Sequence, residues 1–356
     1  MSATLPSPPD DGRPPLIELA GVRRRFGDVD ALAGLDLVVP ANRITVLLGP
    51  NGAGKTTAIR MITGALDAHA GMVRTFGLDP SVHGEEVRRR CGVVSAKPAL
   101  YDRLSGFDNL LYAAQLYEVP ERGRDERIRT AARQFGIEGA LEHQVGGYST
   151  GMRTRLALAR SIIHQPDLLL YDEPTSGLDP ESAQSVLAMI HQMRLEGRTV
   201  VMCTHLLAEA EGLADHIVVM EAGTSPCFGS ATELTHRYWP GAVVHLAAES
   251  PDQLDRVATW HGVTGYERVT DLARIELDGI GRIPDLVLGL ARDGVRITRV
   301  EPQIPTLEDL YFAIRREAQG AGLAPVGSSP SLPLGSLAAS GSPAVGSIRP
   351  VEEVRS

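Results

Sequence analysis

Lysine is nearly missing from this sequence: against an abundance of arginine, only Lys55 and Lys97 are present. A compact ammonium on a flexible stem is not interchangeable with a planar guanidinium, so each of the two needs a reason. Cysteine is also scarce. Cys91, Cys203 and Cys227 are odd in number and lack C-x-x-C spacing, which speaks against a disulfide framework or a thiolate zinc site and for the cytosol. The ten histidines show no metal-ligand clustering. No run approaches the roughly eighteen consecutive apolar residues of a membrane-spanning helix, and Met1 to Arg13 has neither a basic flank nor an apolar core. Neither a transmembrane helix nor a signal peptide is therefore expected. The formal net charge of −9 argues against nucleic acid as the main partner.

What remains is 356 residues, 43% of them hydrophobic, enough for one large domain plus a small one, or for a domain with tails. The most informative stretch is Ile44 to Thr57, I-T-V-L-L-G-P-N-G-A-G-K-T-T. It reads as a buried strand feeding a phosphate-binding loop and a helix, with the spacing G-x-x-x-x-G-K-[ST] from Gly49 to Thr56. Gly49, Gly52 and Gly54, with Pro50, Asn51 and Ala53 between them, let backbone N–H groups curl around an anion. The helix opened by Lys55, Thr56 and Thr57 aims its free N–H groups at the same place. In this context Lys55 reaches the β and γ phosphates and the Thr56 hydroxyl holds Mg2+.

Before that loop, Ser2 to Pro15 is rich in Pro, Asp and Gly and is expected to be a disordered tail. Strands are expected over Leu16 to Phe26 and Val29 to Val39, with Arg23 to Arg25 on a solvated strand edge. Phe26, just ahead of the phosphate-loop strand, is either ordinary core or a ring that stacks on adenine. After the loop come a helix from Ala58, a strand near Met72 to Phe76, a helix around Val82 to Arg90 and a strand at Cys91 to Ser95. Pro98 to Ile163 is mostly helical and reads as an insertion in an alternating strand and helix chain. Its arginines interleave with acids, the pattern of a solvated helix face.

A second informative region runs from Gly147 to Pro180. Ser149 caps a helix that begins with Thr150 and Gly151, and a hydroxyl with a Gly N–H at a helix start makes a further anion site. Leu168 to Tyr171 is a buried strand that delivers Asp172 and Glu173 at its carboxyl end, where open α/β sheets bind ligands. Asp172 is suited to holding Mg2+ through water, and Glu173 to taking a proton from an attacking water. Taken alone, the pair is equally a helix cap with its neighbour. Gly177-Leu178-Asp179 precedes a helix from about Pro180, and the strand Thr199 to Thr204 ends at His205. A neutral imidazole there is placed to bond a γ-phosphate, although a lone histidine is more often structural.

In order and spacing these motifs resemble the nucleotide-binding subunit of an ATP-binding cassette (ABC) transporter, from roughly Leu16 to Leu234. The resemblance implies an α/β P-loop NTPase fold, ATP and Mg2+ as cofactors, Phe26 against the adenine, and catalytic roles for Lys55, Glu173 and His205. It also implies a head-to-tail dimer in which ATP lies between one subunit's phosphate loop and the other's Ser149 to Gly151 turn, with Asp179 in the adjoining loop. Two positions depart from the family pattern. Tyr148, Thr150 and Met152 vary the usual L-S-G-G-Q, in a form similar to exporter ATPases of the ABC-2 type. Ala96 or Lys97 stands where the family carries a glutamine, and alanine cannot ligate a metal or position water.

The cassette is expected over residues 16–236, with its helical part at about 98–163. Residues 242–318 follow as a small α+β domain, whose strand, helix, strand, strand, helix, strand order is compatible with a ferredoxin-like fold. Within it Thr306 caps an amphipathic helix, L-E-D-L-Y-F-A-I, that resembles the terminal segment of drug- and sodium-exporter ATPases. Residues 319–356, dominated by Gly, Ser, Pro and Ala, are expected to be a second disordered tail. The resemblance points to a cytoplasmic ATPase, peripheral on the inner face of the membrane, that drives a separate ABC-2 type permease and binds no nucleic acid. A soluble ABC ATPase acting on ribosomes or DNA, and the ATPase of an importer, are the alternatives.

Overall fold

The computed structural model describes residues 14–318 except Pro240 and Ile304. All but Pro14 and Pro15 of the first expected tail, and the whole of the second, lie outside the described residues. The chain opens with β1 (Ile17–Phe26) and β2 (Val29–Val39), then β3 (Ile44–Leu48), α1 (Lys55–Ile62) and β4 (Ala70–Thr75). Antiparallel β2 and β4 flank β1 as far as Arg23, which pairs with Ala33 and Ala70, whereas Arg24 and Arg25 pair with β2 alone and lie where β1 is an edge. Arg23 and Arg25 remain exposed because they project from the faces.

After α2 (Gly84–Arg89) and β5 (Cys91–Val94) come the helices α3 (Gly106–Leu116), α4 (Arg124–Gln134) and α5 (Thr150–Ile162). The alternation then resumes with β6 (Leu168–Asp172), α6 (Pro180–Leu195), β7 (Thr199–Thr204), α7 (Leu207–Leu213), β8 (His216–Glu221), β9 (Thr224–Gly229) and α8 (Ala231–Tyr238). These strands form a six-stranded sheet in the order β5-β6-β7-β3-β8-β9, parallel except for β9.

Because both faces of a parallel sheet are covered, its strands are apolar without alternation, and successive residues enter different cores. Ile44, Val46, Leu48, Leu169 and Tyr171 face a core shared with the helices α3 to α6. Leu47, Leu168, Leu170 and Val201 face a second core closed by α1 and the β1, β2, β4 sheet. The helical insertion joins the first core through Leu110, Ile128, Phe135 and Leu156, at the spacing expected from the sequence.

The last strands, β10 (Ala242–Ala248), β11 (Val263–Val269), β12 (Leu272–Leu277) and β13 (Ile297–Gln303), with α9 (Arg282–Arg292), enclose a core of their own. Their order, β11-β12-β10-β13 with every neighbour antiparallel, is that of two interleaved βαβ units, the ferredoxin-like arrangement. The helix expected at Gln253 to Thr259 is a 3-10 helix, Pro251–Thr259. Leu254 and Val257 are its buried residues, and a separation of three matches the three residues per turn of that winding. Finally α10 (Leu307–Ala318) leaves this sheet and returns to the first core, where Leu307, Leu310, Ala313 and Ile314 are buried beside Ala210 and Leu213 of α7.

Candidate functional site

The loop between β3 and α1 is drawn in tightly at its two ends. A Cβ on Gly49 would lie 2.3 Å from the Met220 carbonyl oxygen, and one on Gly54 would lie 2.6 Å from that of Ala31. Gly54 also has a φ of 102°, the left-handed conformation that only glycine adopts easily, and it turns the chain directly into α1. Pro50, Asn51 and Gly52 are exposed at the crest, whereas Ala53 is buried. The loop therefore presents its backbone to solvent while its flanks are fixed by β2 and by the β8–β9 turn, whose Gly223 N–H donates to the Ala53 carbonyl at 3.1 Å.

Lys55 is 6% exposed and folds back over this loop, its ammonium donating to the carbonyls of Gly49 at 2.6 Å and Pro50 at 3.3 Å. The same nitrogen lies 3.3 Å from Glu173 Oε1. Thr56 donates its hydroxyl to Asp172 Oδ2 at 2.6 Å, and Thr57 is half-buried behind it. Two residues of α1 thus meet the two carboxylates that β6 delivers.

Glu173 stands at a φ of 51°, unusual for a residue with a side chain, while its N–H continues the ladder to the Cys203 carbonyl at 2.9 Å. That backbone turns the carboxylate into the site. Oε2 accepts from His205 Nδ1 at 2.8 Å, and Oε1 is buried without a hydrogen bond. His205 is held by its neighbours in the chain: the Thr204 hydroxyl accepts from the Leu206 N–H at 3.0 Å and donates to Glu209 Oε2 at 2.9 Å. Sequence reasoning missed this buried Thr204–Glu209 pair, since nothing in T-H-L-L-A-E separates it from an ordinary helix start.

Mg2+ fits this donor set. The Thr56 hydroxyl and the Asp172 carboxylate are hard oxygens that already converge, and Mg2+ takes few protein ligands beside phosphate and water. Among the described residues no cluster of three or more His, Cys, Asp or Glu is placed to hold a metal unaided.

Ser149, Gly151 and Asp179 form a second constellation. Ser149 caps α5 by accepting from the Met152 N–H at 3.2 Å, and Asp179 caps α6 by accepting from Ser182 at 2.9 Å. The Ser182 hydroxyl and N–H hold the Asp179 carboxyl below its ordinary range. The two helix starts adjoin, since a Cβ on Gly151 would lie 3.6 Å from Ser182 Oγ. Within the described chain no hydrogen bond links them to the phosphate loop. Tyr148, the large departure at this turn, is buried, and its hydroxyl donates to the Ala140 carbonyl at 2.5 Å. The Tyr148 hydroxyl passes Gly106, where a Cβ would lie 2.3 Å from its oxygen, so a side chain at 106 would collide with it.

Phe26 is 45% exposed at the tip of the β1–β2 hairpin, under the Arg24 guanidinium, and is not core. Lys97 is exposed after β5, in no ion pair among the described residues, and Ala96 is exposed beside it. A cavity of about 300 Å³ lies between the phosphate loop and His205, lined by Pro50, Asn51, His205, Leu207 and, from the far end of the chain, Tyr311. Tyr311 was not foreseen. Its helix is legible in the sequence, but its place against the loop is not.

A family model described as ABC transporter matches residues 32–176. The chain is 35% identical over 213 residues to the ABC transporter ATP-binding protein NatA of Bacillus subtilis, which covers 58% of this chain and 87% of that one. It is 33% identical to the daunorubicin resistance ATP-binding protein DrrA3 of Streptomyces coeruleorubidus, over 83% of this chain and 94% of that one. It is 30% identical to the Nod factor export ATP-binding protein I of Rhizobium meliloti, over 84% of this chain and 87% of that one. Among solved structures, an ATP binding subunit of an ABC transporter superposes with a TM-score of 0.58 at 26% identity, covering 63% of this chain and 93% of that one.

Proposed function

The chain belongs to the ATP-binding subunits of ABC transporters, and from that premise we propose that it hydrolyses MgATP to power a separate ABC-2 type export permease. The observation that carries this reading is the meeting of Lys55, Thr56, Asp172, Glu173 and His205 at the carboxyl ends of β3, β6 and β7. The relatives named for daunorubicin resistance and Nod factor export support the direction of transport. Among the described residues no helix is long and apolar enough to cross a membrane, in keeping with a permease on another chain and with a subunit held at the cytoplasmic face through it.

In the proposed mechanism the γ-phosphate enters where Lys55 now meets Glu173. Lys55 leaves the Gly49 and Pro50 carbonyls for the β and γ phosphates, and the loop N–H groups from Gly49 to Thr57 hold the rest of the chain of phosphates. Phe26 stacks on the adenine. The Thr56 hydroxyl and Asp172 carboxylate hold Mg2+, which when bound neutralises charge on the phosphates. Glu173 orients water and takes its proton as the water oxygen bonds to the γ-phosphorus and ADP leaves. His205, freed from Glu173, donates to a γ-phosphate oxygen.

Ser149, Gly151 and Asp179 serve the nucleotide of a second nucleotide-binding subunit, in a head-to-tail dimer. Their separation from this chain's own phosphate loop supports a role in trans. The test is purification of tagged Glu173→Gln protein with MgATP from detergent-solubilised membranes. A multi-span membrane protein recovered in equal amount is expected. Recovery of ribosomal or DNA-repair proteins instead, with nothing from membranes, would overturn the transport role.

A further inference from the structure

The C-terminal helix α10 touches the catalytic apparatus along a single face. Leu307, Tyr311 and Arg315 are four residues apart and therefore lie in one row. At the start of the row the Leu307 N–H donates to Glu211 Oε1 of α7 at 3.0 Å. Mid-row, Tyr311 forms a wall of the cavity between the phosphate loop and His205. At the end, Arg315 donates to Glu221 Oε1 at 2.7 and 3.1 Å, and Glu221 opens the turn whose Gly223 braces the phosphate loop. The helix start is itself pinned, because Thr306 and Asp309 cap each other: the Thr306 N–H donates to Asp309 Oδ2 at 2.9 Å and the Asp309 N–H to Thr306 Oγ1 at 3.2 Å.

Both elements that α10 holds bear on the reaction site. α7 follows His205 directly and is tied to the sheet by Thr204 and Glu209. The end of β8 and the turn after it meet both ends of the phosphate loop, through Met220 at Gly49 and Gly223 at Ala53. A helix that fixes both elements at once sets the distance between histidine and loop, which is where the terminal phosphate must fit.

We propose that α10 is a strut that sets this spacing, with Tyr311 as a positioning residue for turnover. This inference rests on the ATPase reading above. The Tyr311 ring also lies 5.6 Å from the Arg315 guanidinium, a packing contact that phenylalanine keeps and alanine loses. A strut matters when histidine and water must be aligned for reaction and matters little for holding nucleotide, most of whose contacts lie elsewhere. The loss should therefore fall on kcat and spare KM.

The experiment compares the full chain with Tyr311→Ala, Tyr311→Phe and Arg315→Gln, measuring kcat and KM for ATP together with thermal melting. For Tyr311→Ala the expected result is a kcat about tenfold lower with KM within about twofold, and for Tyr311→Phe both values within about twofold of the parent. Arg315→Gln, a change at a partly exposed site, should lower kcat in the same selective way and carries the test if Tyr311→Ala does not fold. Parental kcat in both Tyr311→Ala and Arg315→Gln overturns the inference, as does a rise in KM alone, which would make Tyr311 a nucleotide contact. An active parent with unaffected variants sinks the strut and leaves the ATPase reading standing, whereas a parent without ATPase activity overturns both.

Discussion

Lys55 Nζ and Glu173 Oε1 lie 3.3 Å apart, and both are largely buried. In the proposed mechanism these are the charge that grips phosphate and the carboxylate that activates water, and they meet where the γ-phosphate would enter. Glu173→Gln removes the proton acceptor while keeping the shape. ATP affinity should stay within a few-fold of the parent while phosphate release falls at least about a hundredfold, the range of general-base loss. Nucleotide titration beside a phosphate-release assay separates the two, and near-parental turnover would show that Glu173 is not the base.

Among the described residues the Thr56 hydroxyl is the only side-chain donor to Asp172, whose carboxylate is 5% exposed. Thr56→Val leaves that charge without its hydrogen bond. We expect a stability loss of about 1–3 kcal/mol without nucleotide, together with a raised Mg2+ requirement for hydrolysis. Thermal melting and a Mg2+ titration of the rate check the two effects. An unchanged Mg2+ dependence would remove Thr56 from the metal site.

Gly49 has no room for a methyl group, since its Cβ would meet the Met220 carbonyl at 2.3 Å. Gly49→Ala must therefore push the loop from β8, at about 1–3 kcal/mol of stability and with loss of ATP binding. Gly139→Ala, where nothing lies within 4 Å, is the matched control and should be silent in both.

Burial pushes the Cys203 thiol well above its ordinary value and that of Cys91 up to about 12. Cys227 is raised as well, and all three are free and buried. Maleimide at pH 8 should leave the folded chain unmodified and label all three cysteines after denaturation. For Cys91 the sign follows: above pH 9.0 the unfolded thiol ionises while the folded one keeps its proton, so its stabilising effect is present below that pH and lost as pH rises towards about 12. Rapid labelling of the folded protein would place a thiol at the surface.

Lys97, exposed on the segment after β5, is the lysine without a phosphate to hold. Lys97→Ala should leave the basal rate of the isolated subunit within about twofold and alter the stimulation of that rate by the permease, because an exposed, solvent-screened charge contributes little by itself. Equal loss in both assays would give Lys97 a direct part in hydrolysis.

Motifs carried by consecutive residues are legible in the sequence alone. Ile44 to Thr57 and Leu168 to Glu173 announce themselves because a buried parallel strand must be apolar throughout and must end at its ligand. The ferredoxin-like strand order was suggested by the succession of elements alone. Contacts that depend on distant segments were hidden. Nothing local marks β1 as a central strand, since the β4 that covers its other side lies beyond the phosphate loop. The amphipathic pattern of Leu307 to Ile314 requires a partner surface without naming it, so the sequence groups α10 with the small C-terminal sheet although it packs on α7. The left-handed turn at Glu173 is likewise invisible, because a residue with a side chain is held in that conformation only by the surrounding fold.

The strand order has one last consequence. Strand β7 lies between β3, which carries the phosphate loop, and β6, which carries Glu173. Phosphate loop and Glu173 thus rise from backbones two ladder steps apart, about 9–10 Å, with His205 just past the end of the intervening strand. That gap is a ruler graduated in peptide hydrogen bonds. Substitutions can shift the loop, the carboxylate or the helices that brace them, but the spacing of the strands beneath is set by main-chain hydrogen bonding.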